Sequence, residues 1–379
     1  MLTYKKLFVT IKATLKCNLG CLYCYGRDNH SITREMDDEE IHKALLFIVE
    51  YARLKGVNNI TICWHGGEPF LLAKRMPALL DFARNLFNKD GIECSFVTQT
   101  NAVLLTPEHY DLVKKYFDNN VGVSLDLYSN YRTFPNGQLS SDIVIKNIDK
   151  AIDAGIKLSC INLITQHNLH KIKEIYQFYK ERNMSVRLAR VFPIDRNFDP
   201  ACEMYVTAEE FAGAMNEYFD LWANDSQPAS NFDIIHLIGD LLLGRASICF
   251  REYNCTERYL ALSPGGDMYS CAEFDVPESV IGNFLKQSPQ EFIASDTRQK
   301  LFNKAPIPEK CHDCQFETIC YGACLRERFM LKYPFRCETN RIHWQHVVEW
   351  LEKNGCSLFM LRGKSREEII DVMTKIFNR

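Results

Sequence analysis

The chain has 379 residues, 46% of them hydrophobic and 25% charged, enough for two or three domains or for one α/β barrel with an extension. Its 45 Lys and Arg against 48 Asp and Glu give a net charge of −3, which excludes bulk electrostatic attraction to nucleic acid or to a membrane surface. The start has no long apolar core with a small-residue cleavage site, and no apolar run approaches the roughly 20 residues that span a bilayer; the expected location is cytoplasmic.

In chain order, Leu7–Phe8–Val9–Thr10–Ile11 reads as a buried strand that continues to Thr14. Cys17, Cys21 and Cys24 follow at C-x3-C-x2-C spacing. Three thiolates in one short loop can hold three corners of a cubane iron–sulfur cluster, leaving the fourth iron open to a small molecule. Asp37 to Glu40 has the capping-box pattern of a helix start, and Ile41, Ala44, Leu45, Ile48, Val49 and Ala52 give that helix one apolar face up to Gly56. Asn59 to Trp64 is a strand, followed by His65-Gly66-Gly67-Glu68-Pro69.

The alternation goes on with a helix from Met76 to Asn88, a strand from Glu93 to Gln99, and a helix opened by Thr106-Pro107. Val121–Leu125, Lys157–Ile164 and Ser185–Arg190 read as strands, with helices over Asp142–Ala154 and Lys171–Asn183. Six strand–helix alternations predict parallel strands with right-handed crossovers, too few for a closed eight-stranded barrel. An open, partial barrel is the economical fold, with a doubly wound sheet as the competitor. In either case the Cys loop, His65 to Glu68, Gln99-Thr100-Asn101 and Ser124-Leu125-Asp126 all lie at carboxyl ends of strands, where such folds place their sites.

Thr207 and Glu210 start another helix with a capping box, and Ile234 to Leu243 forms one more, ended by Gly244. Beyond it the rhythm is lost until helical residues Glu367 to Phe377. A boundary near residues 230–245 divides the chain into 1–235, 236–345 and 346–379. Sixteen cysteines in a chain without an export signal point to metal binding rather than disulfides. Cys249, Cys255, Cys271, Cys311, Cys314, Cys320, Cys324 and Cys337 suit two four-cysteine sites, and Ser263 to Asp267 is a tight hairpin turn between Cys255 and Cys271. Structural zinc is the alternative occupant, since zinc ribbons also use C-x2-C pairs. Cys63, Cys94 and Cys160 fall in strands and read as small buried hydrophobes, and Cys202 and Cys356 as non-ligands. Arg187 and Arg190 read as surface or salt-bridging residues.

Together these patterns resemble the radical S-adenosylmethionine superfamily, in the branch with a C-terminal SPASM domain. The resemblance rests on Cys17, Cys21, Tyr23 and Cys24, and on the run Cys255, Gly266, Cys271, C-x2-C-x5-C-x3-C and Cys337. It implies a partial (β/α)6 TIM-like barrel followed by a cysteine-rich SPASM domain. It also implies S-adenosylmethionine and three [4Fe-4S] clusters, one catalytic and two auxiliary. Cys17, Cys21 and Cys24 would hold the catalytic cluster; Cys249, Cys255, Cys271 and Cys324 the nearer auxiliary one; Cys311, Cys314, Cys320 and Cys337 the outer one. Tyr23, Gly66, Gly67, Glu68, Ser124 and Arg132 match positions that bind S-adenosylmethionine.

The implied activity is reductive cleavage of S-adenosylmethionine to a 5′-deoxyadenosyl radical that takes hydrogen from a peptide or protein, leading to a crosslink, an oxidation or an epimerisation. Alternatives are sulfatase-type oxidation of Cys or Ser to formylglycine, dehydrogenation of a small molecule, or a non-catalytic zinc module. Sulfatase-maturing relatives carry an Asp base directly after the third auxiliary cysteine. Here Ala272 follows Cys271, with Glu273 and Asp275 as candidate bases. The usual Gly after Ser-x-Asp is Leu127. Expected partners are the peptide, an electron donor such as a flavodoxin or ferredoxin, and a separate leader-peptide-binding protein, since Cys17 leaves no room for a leader-binding domain before it.

Overall fold

The computed structural model describes residues 6–26, 34–193, 202–332 and 335–377. Packing divides the chain into two compact units: Met1–Asp126, Asn130–Ile161 and Asn254–Lys304 form one, and Leu127–Ser129, Asn162–Tyr253 and Ala305–Arg379 the other.

The elements run β1 (Lys6–Thr14), α1 (Asp38–Lys55), β2 (Asn59–Gly66), α2 (Met76–Lys89), β3 (Glu93–Thr100), α3 (Tyr110–Tyr116), β4 (Asn120–Ser124), α4 (Ser141–Asp153) and β5 (Lys157–Ile164). In the second unit α5 (Ile172–Glu181), β6 (Ser185–Arg190), α6 (Ala208–Ala223) and α7 (Phe232–Leu243) follow. Three short strands, β7 (Tyr259–Leu262), β8 (Asp267–Tyr269) and β9 (Val280–Asn283), return to the first unit.

The fold is α/β with a parallel-dominated sheet. In the first unit the strand order is β5-β4-β3-β2-β1-β7-β8-β9. Strands β1 to β5 pair in parallel, each with the next. The last three residues of β5 belong with the second unit, where β6 is its neighbour in the sheet order. Val9 and Ile11 of β1, Ile60 and Ile62 of β2, and Ile41, Ala44, Leu45, Ile48 and Ala52 of α1 are fully buried. Each Val, Ile or Leu side chain among them contributes about 1.5–3 kcal/mol by leaving water. Gly56 ends α1 in the left-handed region, donating to Ala52.

The hairpin turn appears where expected: Ser263 N donates to the Asp267 carbonyl and Gly266 N to that of Ser263. β7 and β8 are antiparallel. Sequence reasoning did not anticipate that β7 pairs in parallel with β1, Phe8 opposite Tyr259 through Ile11 opposite Leu262. The hairpin between Cys255 and Cys271 thus extends the main sheet.

Two local expectations need correction. Asp37 caps α1 by accepting from Glu40 N at 2.8 Å, but Glu40 does not complete the box; its carboxylate takes the Gly265 N–H at 2.5 Å. The helix expected to reach Asn183 stops at Glu181, because Asn183 adopts φ 48°. The capping box at Thr207 and Glu210 is complete.

The second unit packs α6 against the helix Cys337–Lys353. There His343 is 3% exposed, and its Nδ1 lies 2.8 Å from Asn216 Oδ1. Burial, with His346 and Arg251 adding to it, lowers its pKa to about 3. Unfolded, the same ring titrates near about 6.5. Below that pH only the unfolded chain takes the proton, so this contribution is complete above about 6.5 and is lost as pH falls toward 3. Urea melts between pH 7.5 and 5 are expected to show stability falling with acid, by at most about 1.4 kcal/mol per pH unit from this residue, and less steeply in His343→Gln.

Among the described residues no helix is long and apolar enough to cross a membrane, and no disulfide joins any of the sixteen cysteines.

Candidate active site

Residues 17–24 leave the end of β1 as a loop pinned by backbone bonds. Gly20 N donates to the Thr133 carbonyl at 2.8 Å and Leu22 N to that of Tyr131 at 3.0 Å. Leu19 N points at Cys17 Sγ, 3.4 Å away. Burial raises all three thiols, Cys17 to about 11; Cys21 and Cys24 raise Cys17 further, and Cys24 raises Cys21. Three thiols crowded where ionisation is penalised need a cation to become thiolates, and an iron–sulfur cluster fits that donor set.

Beside this loop lies a buried polar chain. Tyr23 donates its hydroxyl hydrogen to Asp126, and Arg132 Nη1 donates to the Tyr23 oxygen at 2.8 Å. The guanidinium is also 4.0 Å from Asp126, with side-chain exposures of 10% and 1%. Burial raises the Tyr23 phenol well above its ordinary range, so it stays a donor. The Arg132 charge favours the ionised forms of Cys21 and Cys24. Among the described residues its Nε has no acceptor. A buried guanidinium donor left unmet suits an incoming carboxylate. Asp126 was placed on the rim by the sequence but given no role there; its only signal was a carboxylate at a strand end.

His65-Gly66-Gly67-Glu68 runs along the residues leading into the loop. Gly67 N donates to Thr14 O and Glu68 N to Lys16 O, each at 2.8 Å. A Cβ on Gly66, at φ 125°, would stand 2.0 Å from Thr14 O, and one on Gly67 2.0 Å from Lys16 O. Both glycines are therefore required by backbone contact. Gly67→Ala must push the cysteine loop aside, at a cost of about 1–3 kcal/mol, and is expected to lower the melting temperature and the iron content together. Glu68 is fully buried, and burial raises its pKa. It accepts from Asn101 N at 2.7 Å, Thr100 Oγ1 at 2.8 Å and Phe70 N at 3.0 Å. Asn101 Nδ2 reaches Asn18 Oδ1 at 2.6 Å and lies 3.7 Å from Cys17 Sγ, so Glu68 and Asn101 brace the loop from below.

At the end of β4, Ser124 Oγ accepts from Gln99 Nε2 at 2.9 Å. The Gln99 carboxamide lies over Gly122, where a Cβ would come within 2.1 Å of it. In the Ser124-Leu125-Asp126-Leu127 segment the positive φ falls one residue after Leu127, on Tyr128 at 59°.

Of the two candidate bases, Asp275 is bound to Lys12 Nζ at 2.5 Å, with side-chain exposures of 11% and 3%. Glu273 is exposed, and its charge acts on His65, as does that of Asp275. Lys12 and His65 sit opposite each other on β1 and β2.

In the first unit Cys255 opens a short helical turn before β7, and Cys271 follows β8. In the second, Cys249 begins a helical turn and Cys324 caps Leu325–Leu331. Cys311, Cys314, Cys320 and Cys337 all belong to the second unit, and Cys311, Cys320 and Cys337 are each raised by burial and by neighbouring members of the set, Cys320 to about 12. Cys63 and Cys160 are buried and Cys94 is half-buried, with burial pushing Cys63 and Cys94 up to about 12. Arg187 makes a two-pronged ion pair with Asp233, both contacts at 2.7 Å.

Residues 11–179 match the radical SAM superfamily, and residues 249–315 match the SPASM iron–sulfur cluster-binding domain. The chain thus carries the two domains of a SPASM-branch radical S-adenosylmethionine protein. Its relatives include a serine-type anaerobic sulfatase-maturating enzyme of Bacteroides thetaiotaomicron, 25% identical over 92% of this chain and 91% of the relative. A cysteine-type enzyme of Clostridium novyi is 26% identical over 86% and 89%. Among solved structures, anSMEcpe with bound AdoMet and the Cp18Cys peptide shares the fold at TM-score 0.79 and 19% identity, over 92% of this chain and 98% of that one. Streptococcus suis SuiB bound to precursor peptide SuiA shares it at 0.59 and 17%, over 87% and 74%. The family's cofactors are S-adenosylmethionine and [4Fe-4S] clusters, and three clusters fit a SPASM protein.

Proposed function

We propose that this enzyme modifies a peptide or protein, and that its reaction is oxidation of a Cys or Ser side chain. The observation that carries this is likeness over nearly the whole chain to serine- and cysteine-type sulfatase-maturating enzymes. When bound, the catalytic cluster supplies the electron that cleaves S-adenosylmethionine to the hydrogen-abstracting 5′-deoxyadenosyl radical.

The chain's own residues do the rest. Cys17, Cys21 and Cys24 hold the catalytic cluster, braced by Glu68 and Asn101. Arg132, clamped by Tyr23 and Asp126, receives the S-adenosylmethionine carboxylate, and Ser124, oriented by Gln99, lies on the same rim. Cys311, Cys314, Cys320 and Cys337 ligate one of the auxiliary clusters. The buried rim keeps water from an unselective radical. A soluble electron donor, a separate leader-binding protein and a cytoplasmic setting complete the proposal.

A second reading, a crosslink or epimerisation of another peptide, is favoured by Ala272 standing where sulfatase-maturing relatives carry their Asp base. The test is anaerobic incubation of reconstituted enzyme with reductant, S-adenosylmethionine, and the Cp18Cys peptide or its Ser counterpart. Formylglycine is expected, read as loss of two hydrogens from Ser, or as that loss with sulfur replaced by oxygen from Cys. Deoxyadenosine without peptide oxidation would reject sulfatase-type chemistry and leave the second reading.

A further inference from the structure

β1 is a two-faced strand. Val9, Ile11 and Ala13 alternate with Thr10, Lys12 and Thr14, and all six are buried, Lys12 to 2% exposure. An ammonium has three N–H donors. Among the described residues the acceptor of Lys12 is Asp275 Oδ2 at 2.5 Å, and its other contact is the Tyr25 ring, 5.2 Å away at the centroid. Two donors are thus left over in a place where an unmet donor is costly.

The surroundings say what would take them. Tyr25 follows Cys24 directly, and the charges of Lys12 and Asp275 both act on the Cys24 thiol, so the ammonium borders the loop where the chemistry occurs. His65, opposite Lys12 on β2, accepts from Gly66 N at 2.7 Å; burial, and then Lys12, lower it to about 4, so it adds no second positive charge. Asp275 already balances Lys12. A carboxylate would compete with Asp275 for the ammonium, whereas an uncharged acceptor would not. Arg132, with its own unmet donor, is the better partner for the cofactor carboxylate.

We propose that Lys12 is a substrate-binding residue: its ammonium, aimed by Asp275, donates to a peptide carbonyl oxygen next to the side chain that is modified. Asp275 is then a positioning residue. This rests on the peptide reading above.

The test is binding of fluorescently labelled Cp18Cys peptide, and of its Ser counterpart, to the S-adenosylmethionine-loaded holoenzyme, with S-adenosylmethionine affinity measured in parallel. Lys12→Met is expected to weaken peptide binding roughly tenfold or more while cofactor affinity is kept. Lys12→Arg, which keeps the donors, should recover part of it, and Asp275→Asn should give an intermediate loss. If Lys12→Met does not fold, Lys12→Met with Asp275→Met removes both buried charges and should still show the loss. Unchanged peptide affinity in the Lys12 variant overturns the inference, as does an equal loss of cofactor affinity. Wild-type enzyme that binds neither peptide overturns the sulfatase-type reading, and this inference with it.

Discussion

Replacing Cys17, Cys21 and Cys24 together by Ala is expected to abolish 5′-deoxyadenosine formation and to leave the auxiliary centres in place. Iron should fall from about twelve to about eight per chain, four being lost with one cubane. The selectivity follows from where the thiols sit. The triplet lies in one loop of the first unit, pinned to Tyr131 and Thr133, while the Cys311, Cys314, Cys320 and Cys337 quartet lies wholly in the second. Persistent reductive cleavage in the triple variant would show that the triplet does not hold the catalytic cluster.

Arg132→Met is expected to have the second largest effect, on two separate readouts. Asp126, 1% exposed, loses its countercharge and keeps the Tyr23 hydroxyl. Removing one partner of a buried pair costs about 3–5 kcal/mol, and the remaining bond from Tyr23 places the loss toward the lower end. S-adenosylmethionine affinity should fall roughly ten- to a hundredfold, the worth of a charged hydrogen bond to its carboxylate. Adding Asp126→Asn to Arg132→Met should restore much of the stability, because no buried charge then stands alone, and none of the affinity. Recovery of both would mean that Arg132 serves the fold alone. Arg132→Lys should recover less affinity than stability, since an ammonium cannot reproduce the guanidinium fork.

Much of the first unit was legible because its signals are local. Parallel strands separated by helices announce themselves by period and by caps such as Asp37 and Gly56, and Cys17, Cys21 and Cys24 fall within one short loop. The hairpin turn at Ser263–Asp267 was legible for the same reason. The pairing of β7 with β1 was not, since a four-residue strand carries no mark of its partner, hundreds of residues away in sequence. Glu40 shows how tertiary contact overrides a local motif: its side chain serves Gly265 in place of its own helix start.

The polar interior was the least visible. Asp126, Asn101 and Gln99 are ordinary residues at strand ends until the fold sets them beside Tyr23, Glu68 and Ser124. Lys12 left one trace, a polar alternation of Thr10, Lys12 and Thr14 inside a strand that otherwise reads as apolar. Asp275 stood out as a candidate base by its spacing from Cys271, yet only the structure pairs it with Lys12.

The central claim is that this cysteine-rich chain is a three-cluster radical enzyme and not a zinc-binding module. Metal and sulfide analysis of anaerobically purified, reconstituted protein tests it most directly. About twelve irons and as many sulfides per chain are expected, four for each of three cubanes. Stoichiometric zinc with little iron would contradict the account.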